Sequence, residues 1–248
     1  MGIISAGATD IGRKRKTNQD SICLDPTHSF FAVADGMGGH NGGDIASQMS
    51  TQLMPEYMAA HAKTDPEVLM REMIQKINLA ILDKAALTPD LHGMGTTISA
   101  IYFAGPQLFI GNVGDSRVYM VNNQNIYQMT RDHSFVQEKL NMGIYTREEA
   151  VKDPQKNVLV RSVGFESDVQ ADVFLYRICK NDIFLICSDG LHGKVSDGDI
   201  LHIVKKNIPN PADANKGQLE DAVHELIKQA NDNGGQDNIS VIITIAKA

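Results

Sequence analysis

A chain of 248 residues, 42% of them hydrophobic, can bury one sizeable core, and no Pro-, Ser- or charge-rich linker divides it. A net charge of −7 weighs against a general nucleic-acid binder and leaves a cation-binding site open. Three cysteines, Cys23, Cys179 and Cys187, form no CxxC pair and no even set, so reduced, mostly packed thiols are expected, not a disulfide framework.

In chain order, strands are predicted near 2–8, 20–25 and 29–34, followed by helical periodicity near 43–61 and 66–86. Met49, Met54, Met58, Met70 and Met73 fall on these helices at core spacing, as fillers of an apolar interior. Strand patterns return near 95–103, 107–112, 116–121 and 125–129, with GPQ and NNQN as turns. A polar interval with helical patches, from about 132 to 162, precedes strands near 171–176 and 182–187. Helices near 197–206 and 217–232 then lead to a last strand over 238–245. Strand blocks alternating with helix pairs favour mixed or antiparallel sheets over a doubly wound parallel one. No apolar run approaches the length of a membrane span, and the N-terminal stretch has no signal-peptide pattern, so a cytoplasmic protein is expected, with no membrane or nucleic-acid partner.

Acids recur where apolar runs end. Phe30 to Ala34 runs into Asp35 and the glycine-rich GMGGHNGGD; Leu108 to Val113 into Gly114-Asp115-Ser116; Ile183 to Cys187 into Ser188-Asp189-Gly190. Gly234-Gly235-Gln236-Asp237 leads into ISVIITI, and Asp20 edges SICL. Each one alone reads as a turn residue. Together, at strand ends that converge, the five carboxylates would repel unless they held a hard divalent cation, and oxygen donors without His or Cys suit Mg²⁺ or Mn²⁺. Two such ions sharing an Asp would activate a water for attack on phosphorus. The basic run Arg13 to Lys16, just before Asp20, offers a guanidinium fork for the phosphate.

Other chemistries lack their residues. The chain has no GxxxxGK[ST] loop and no HExxH. Neither Ser116 nor Ser188 has the flanking glycines of a nucleophile elbow, and no arginine stands six positions after a cysteine, as a cysteine phosphatase requires.

The ordered segments GRKRKTNQD, VADGMGGHNGGDIAS, GMGTTISA, NVGDSRVY, TRDHS, NVLVRSVG, CSDGL and GGQDNISV resemble the bacterial branch of the metal-dependent serine/threonine protein phosphatases (PPM, type 2C). The resemblance spans nearly the whole chain. It implies an α+β fold: a central β-sandwich of two antiparallel sheets flanked by helix pairs, four layers αββα, as one catalytic domain over 1–248 with a flap subdomain at about 135–162. Carried over by motif, Asp35 bridges two Mn²⁺ or Mg²⁺ ions, the Gly36 carbonyl binds one, and Asp189 and Asp237 bind the other. Asp20 acts on the Gly36 side through water. Asp115, with Asp189, matches the place of a third, weaker ion, and Arg15 matches the phosphate-binding arginine. Asn157 and Arg161 are expected to anchor the flap's return, His133 to be structural, and His192 receives no role.

The chain departs from relatives at two positions. Met37 stands where many eukaryotic members carry a His proposed as general acid, which leaves His40 as the candidate proton donor. Gln19 stands where some carry Glu, so weaker metal binding is expected on that side. The implied activity is hydrolysis of phosphoserine and phosphothreonine by in-line attack of a metal-bound hydroxide, without a phosphoenzyme. The implied partners are phosphoproteins, substrates of a bacterial serine/threonine kinase, met by a monomer. The alternatives are a non-catalytic phosphoprotein-binding domain, which loss of the acids would mark, and a hydrolase of small phosphoesters.

Overall fold

Two antiparallel sheets lie face to face in the computed structural model, which describes residues 2–38, 42–122 and 124–247. The first runs β1 (Gly2–Asp10), β11 (Ile239–Lys247), β10 (Ile183–Cys187), β7 (Arg117–Asn122) and β8 (Asn125–Gln128). The second runs β2 (Asp20–Asp25), β3 (Phe30–Met37), β5 (Ile98–Ala104), β6 (Gln107–Val113) and β9 (Asp172–Arg177), with short β4 (Gly95–Thr96) beside β3. Helices α1 (Gly43–Ala60) and α2 (Pro66–Leu87) cover the second sheet, and α6 (Asp197–Asn207) and α7 (Lys216–Asp232) the first. The shorter α3 (Phe135–Asn141), α4 (Arg147–Lys152) and α5 (Asp189–His192) lie in connections.

Strand alternation builds three cores from these layers. Phe30 and Ala32 point to the α1/α2 side, whereas Phe31 and Val33 point between the sheets. Likewise Ile183, Leu185 and Cys187 face α6 and α7 while Phe184 and Ile186 face the other sheet. A strand buried on both faces cannot alternate apolar with polar, which is why these segments read as continuous apolar runs. Phe103 meets Phe31 of its own sheet edge-on, centroids 6.1 Å apart, and Phe184 of the facing sheet at 5.8 Å, so the second contact joins the two sheets.

The helices obey local rules. Asp65 caps α2 by accepting from the Glu67 and Val68 amides, with Pro66 in the first turn. Asn215 and Gln218 form a capping box on α7. The methionines fill the α1/α2 core: Met54, Met58, Met70 and Met73 are buried and Met49 packs against them. Cys23 and Cys187 are buried free thiols, and Cys179 is an exposed one. Among the described residues no helix is long and apolar enough to cross a membrane.

Two elements differ from the sequence reading. The strand expected to stop at Ala34 continues to Met37, because Gly36 pairs with Thr96 and its amide donates to the Gln19 carbonyl at 3.1 Å. The strand expected over 95–103 is interrupted at Thr97, which leaves the ladder to donate its amide to the Asp35 carbonyl at 2.8 Å.

Candidate active site

Antiparallel pairing brings the acidic positions to one edge of the sandwich. Val33 pairs with Ser99, Ile98 with Val113, and Cys187 with both Arg117 and Val241. The C-terminal ends of β3, β6 and β10 therefore share an edge with the N-terminal ends of β2, β7 and β11. Asp35 and Gly36 lie on β3, and Asp20 opens β2 directly opposite Asp35. Asp115 follows β6, Asp189 follows β10 and Asp237 precedes β11.

A cleft of about 650 Å³ opens at this edge, lined by Arg15, Asp35, Gly36, Asp115, Asp189 and Asp237. Asp20 is buried beside it, with Asp35 within hydrogen-bonding reach. Every site residue singled out from the sequence thus meets here except His40, which lies outside the described residues.

Backbone packing holds the site in place. A Cβ on Gly36 would stand 2.0 Å from the Gly43 carbonyl oxygen and 2.5 Å from that of Gln19, so only glycine lets these three chain segments meet. Asn238, buried, donates through Nδ2 to the carbonyls of Ile11 and Thr17 at 3.0 Å each and accepts from the Gln19 amide at 2.9 Å. It thereby ties the loop that carries Arg15 to the strand after Asp237. Arg15 Nη2 in turn donates to Asp237 Oδ2 at 2.7 Å.

The carboxylates share an environment that resists their charge. Burial pushes Asp20 up to about 6, even though the Ser240 and Ser188 hydroxyls each donate to its Oδ2 at 2.7 Å. Burial, then the charges of Asp20, Asp189, Asp115 and Asp237, hold Asp35 well above the usual carboxylate range. Asp189 is raised likewise by burial and then by Asp115 and Asp237. Burial and then the Asp132 charge push Asp115 up to about 7. The hydrogen bond to Asp237 raises Arg15.

Desolvation and mutual repulsion are both reversed by a cation placed among the acids. The clustered acids on the cleft, Asp35, Asp115, Asp189 and Asp237, offer carboxylate oxygens, which fit a hard divalent ion. Among the described residues no three acid, His or Cys groups already stand as a closed ion cage.

Several contributors were not evident from the sequence. Ser188, weighed there only as a nucleophile, and Ser240, within the last predicted strand, orient Asp20. His192, given no role, is half-buried with its Nε2 3.0 Å from the Asp115 carbonyl, to which it donates. His133, read as structural, accepts the Gly114 amide on Nδ1 at 3.1 Å and meets Asp172 at 3.2 Å through Nε2. Arg161 anchors its segment as expected, donating to the Gln170 carbonyl and to Asp172 at 2.8 Å each. Asn157 does not: it is exposed on the cleft rim. The cleft wall also runs on past the expected flap, through Phe165, Glu166 and Gln170.

The sequence pattern of protein phosphatase 2C matches residues 9–239. The chain belongs to this family. Among its 2C relatives, the serine/threonine phosphatase stp of Listeria welshimeri is 38% identical over 242 residues, covering 95% of this chain and 92% of its own. The protein phosphatase PhpP of Streptococcus pneumoniae is 35% identical over 247 residues, with 95% and 94% covered. The crystal structure of the Mycobacterium tuberculosis serine/threonine phosphatase PstP/Ppp superposes with a TM-score of 0.90 at 33% identity, over all of both chains. The PstP catalytic domain in complex with two manganese ions gives 0.86 at 32%, over 99% of each. The α+β four-layer architecture is that of these 2C phosphatases.

Proposed function

We propose that this chain, a serine/threonine phosphatase of the 2C family, hydrolyses phosphoserine and phosphothreonine in proteins at the Asp35 cleft, with divalent cations held by its carboxylates. The observation that carries this reading is the meeting of Asp35, Asp189 and Asp237 with Arg15 in one cleft. In the proposed arrangement Asp35 bridges two cations, the Gly36 carbonyl serves one, and Asp189 and Asp237 serve the other. Asp20, aimed by Ser188 and Ser240, acts on the Gly36 side through water, and Asp115 with Asp189 offers a third, weaker place. Mn²⁺ and Mg²⁺ both suit such oxygens, and the two manganese ions in the PstP catalytic domain support Mn²⁺. Bound there, the cations lower the pKa of water toward neutrality and offset negative charge on the phosphoryl oxygens.

The chain's own residues do the rest. Arg15, half exposed and steadied by Asp237, presents its guanidinium fork to two phosphate oxygens and so sets the in-line approach. Met37 lines the cleft but carries no exchangeable proton, so the proton for the departing serine or threonine oxygen is assigned to His40. Residues 135–162, with α3 and α4, form a flap beside the cleft that bears on substrate choice. The substrates are phosphoproteins made by a bacterial serine/threonine kinase, and the enzyme acts as a cytoplasmic monomer on a single catalytic domain.

The test is phosphate release from a phosphothreonine peptide by metal-stripped protein, with and without Mn²⁺, beside Asp189→Ala and Asp237→Ala. Mn²⁺-dependent release that both substitutions abolish is expected. Folded protein that releases nothing with any divalent metal would remove the reading.

A further inference from the structure

One wall of the cleft is an irregular segment, residues 164–171, which side chains of α2 hold. Arg71, Gln75 and Asn78 lie on one face of α2 at spacings of four and three. Asn78 Oδ1 accepts the Gly164 amide and its Nδ2 donates to the Glu166 carbonyl, both at 2.7 Å. Gln75 Nε2 donates to the Ser167 carbonyl at 2.8 Å, and its Oε1 accepts the Val169 amide at 3.0 Å. Arg71 Nη1 donates to the Ala171 carbonyl at 2.5 Å.

Each amide therefore spends one donor and one acceptor on main chain, as a neighbouring strand would. Without Asn78 the buried Gly164 amide would go unpaired. Asn78 is wholly buried, an expensive place for an amide that served no partner.

The two bonds of Asn78 bracket a single residue, Phe165. Its ring is half exposed and lines the cleft beside Glu166, where a peptide flanking a phosphorylated residue would lie. Gly164, at φ +98°, sits so close that a Cβ there would stand 2.6 Å from Ile81 on α2, which fixes the height at which Phe165 leaves the helix surface. Val163 pairs with Thr96, whose hydroxyl donates to the Asp35 carbonyl at 2.9 Å. The wall is thus set at a defined distance from the reacting end.

We propose that Asn78 and Gln75 are positioning residues for the phosphoprotein chain: they fix Phe165 as an apolar contact for the residue flanking the phosphate, and so set the preference for a phosphopeptide over a small phosphoester. This rests on the phosphatase reading above. Neither amide touches the phosphate, so a small ester that fills only the metal end does not need them.

The experiment compares KM and kcat for a phosphothreonine peptide with an apolar flank and for p-nitrophenyl phosphate, both with Mn²⁺, in the unmutated protein, Asn78→Ala, Phe165→Ala and the double variant. Expected is a rise of about fivefold or more in peptide KM for each single variant, with the small ester changed by less than about twofold. The double variant should match Phe165→Ala alone. Gln75→Ala, at a half-buried position, carries the same expectation if Asn78→Ala does not fold. Equal losses on both substrates, or an unchanged peptide KM in folded variants, would overturn the proposal. Absence of metal-dependent release from either substrate by the unmutated protein would instead sink the phosphatase reading and the proposal with it.

Discussion

Asp20 and Asp35 face each other in register across the β2–β3 pair, two carboxylates at directly opposed positions of one sheet. Like charges so placed destabilise a sheet, and here burial withholds the water that would screen them. Asp35→Asn replaces one of the two opposed acids with a neutral amide. The metal-free variant is expected to melt higher than the unmutated protein while losing at least about a hundredfold in phosphate release. Paired thermal melts and peptide assays read both effects; a variant that loses activity and also melts lower would contradict this origin of the strain.

Metal and pH should act together on stability. The raised carboxylates, Asp20 at about 6, Asp115 at about 7, and Asp35 and Asp189 well above their usual range, favour the protonated folded state. Their contribution is complete below the unfolded carboxylate range and is lost as pH rises through the folded values. His192, lowered to about 3 by burial, and His133, lowered likewise, act in the opposite sense and lose stability only as pH falls below their ordinary range. From about pH 6.5 to 8 the carboxylates therefore dominate. Metal-stripped protein should melt lower at the upper pH, and Mn²⁺ should restore more stability there than at the lower.

Arg15 is held by Asp237 at 2.7 Å, and a lysine keeps the charge but not the planar fork. Arg15→Lys is expected to raise peptide KM about tenfold with metal affinity little changed. Steady-state kinetics beside a Mn²⁺ titration separate the two.

Ser188 and Ser240 both donate to Asp20 Oδ2, and each hydroxyl opposes the effect of burial. Ser240→Ala should raise Asp20 further and move the acid limb of the pH–rate profile upward. It also leaves a buried acceptor short of a donor, at a cost of about 1–2 kcal/mol measured by denaturant unfolding. An unmoved acid limb would show that Asp20 does not govern it.

Gly36→Ala should abolish activity, because the added methyl collides with main-chain oxygen, which cannot rotate away as a side chain can. A correctly folded, active alanine variant would mean the three segments can separate.

The layers of this fold were legible along the chain because alternation and apolar runs are local: Phe30 to Ala34 and Ile183 to Cys187 announce strands buried on both faces. The acid-and-glycine junctions were legible too, since Asp35, Asp115, Asp189 and Asp237 each follow or precede such a run by a residue or two. What no local pattern contains is which strand ends meet. Only the antiparallel order of the two sheets puts those acids at one edge, and only burial there turns ordinary carboxylates into groups that resist ionisation. The same holds for the supporting contacts. Ser188 and Ser240 lie 52 positions apart, and Asn78 reaches Glu166 across 88. Hydrogen bonds over such separations form only after the chain has paid the entropy of closing the intervening loops, and that the tertiary structure decides.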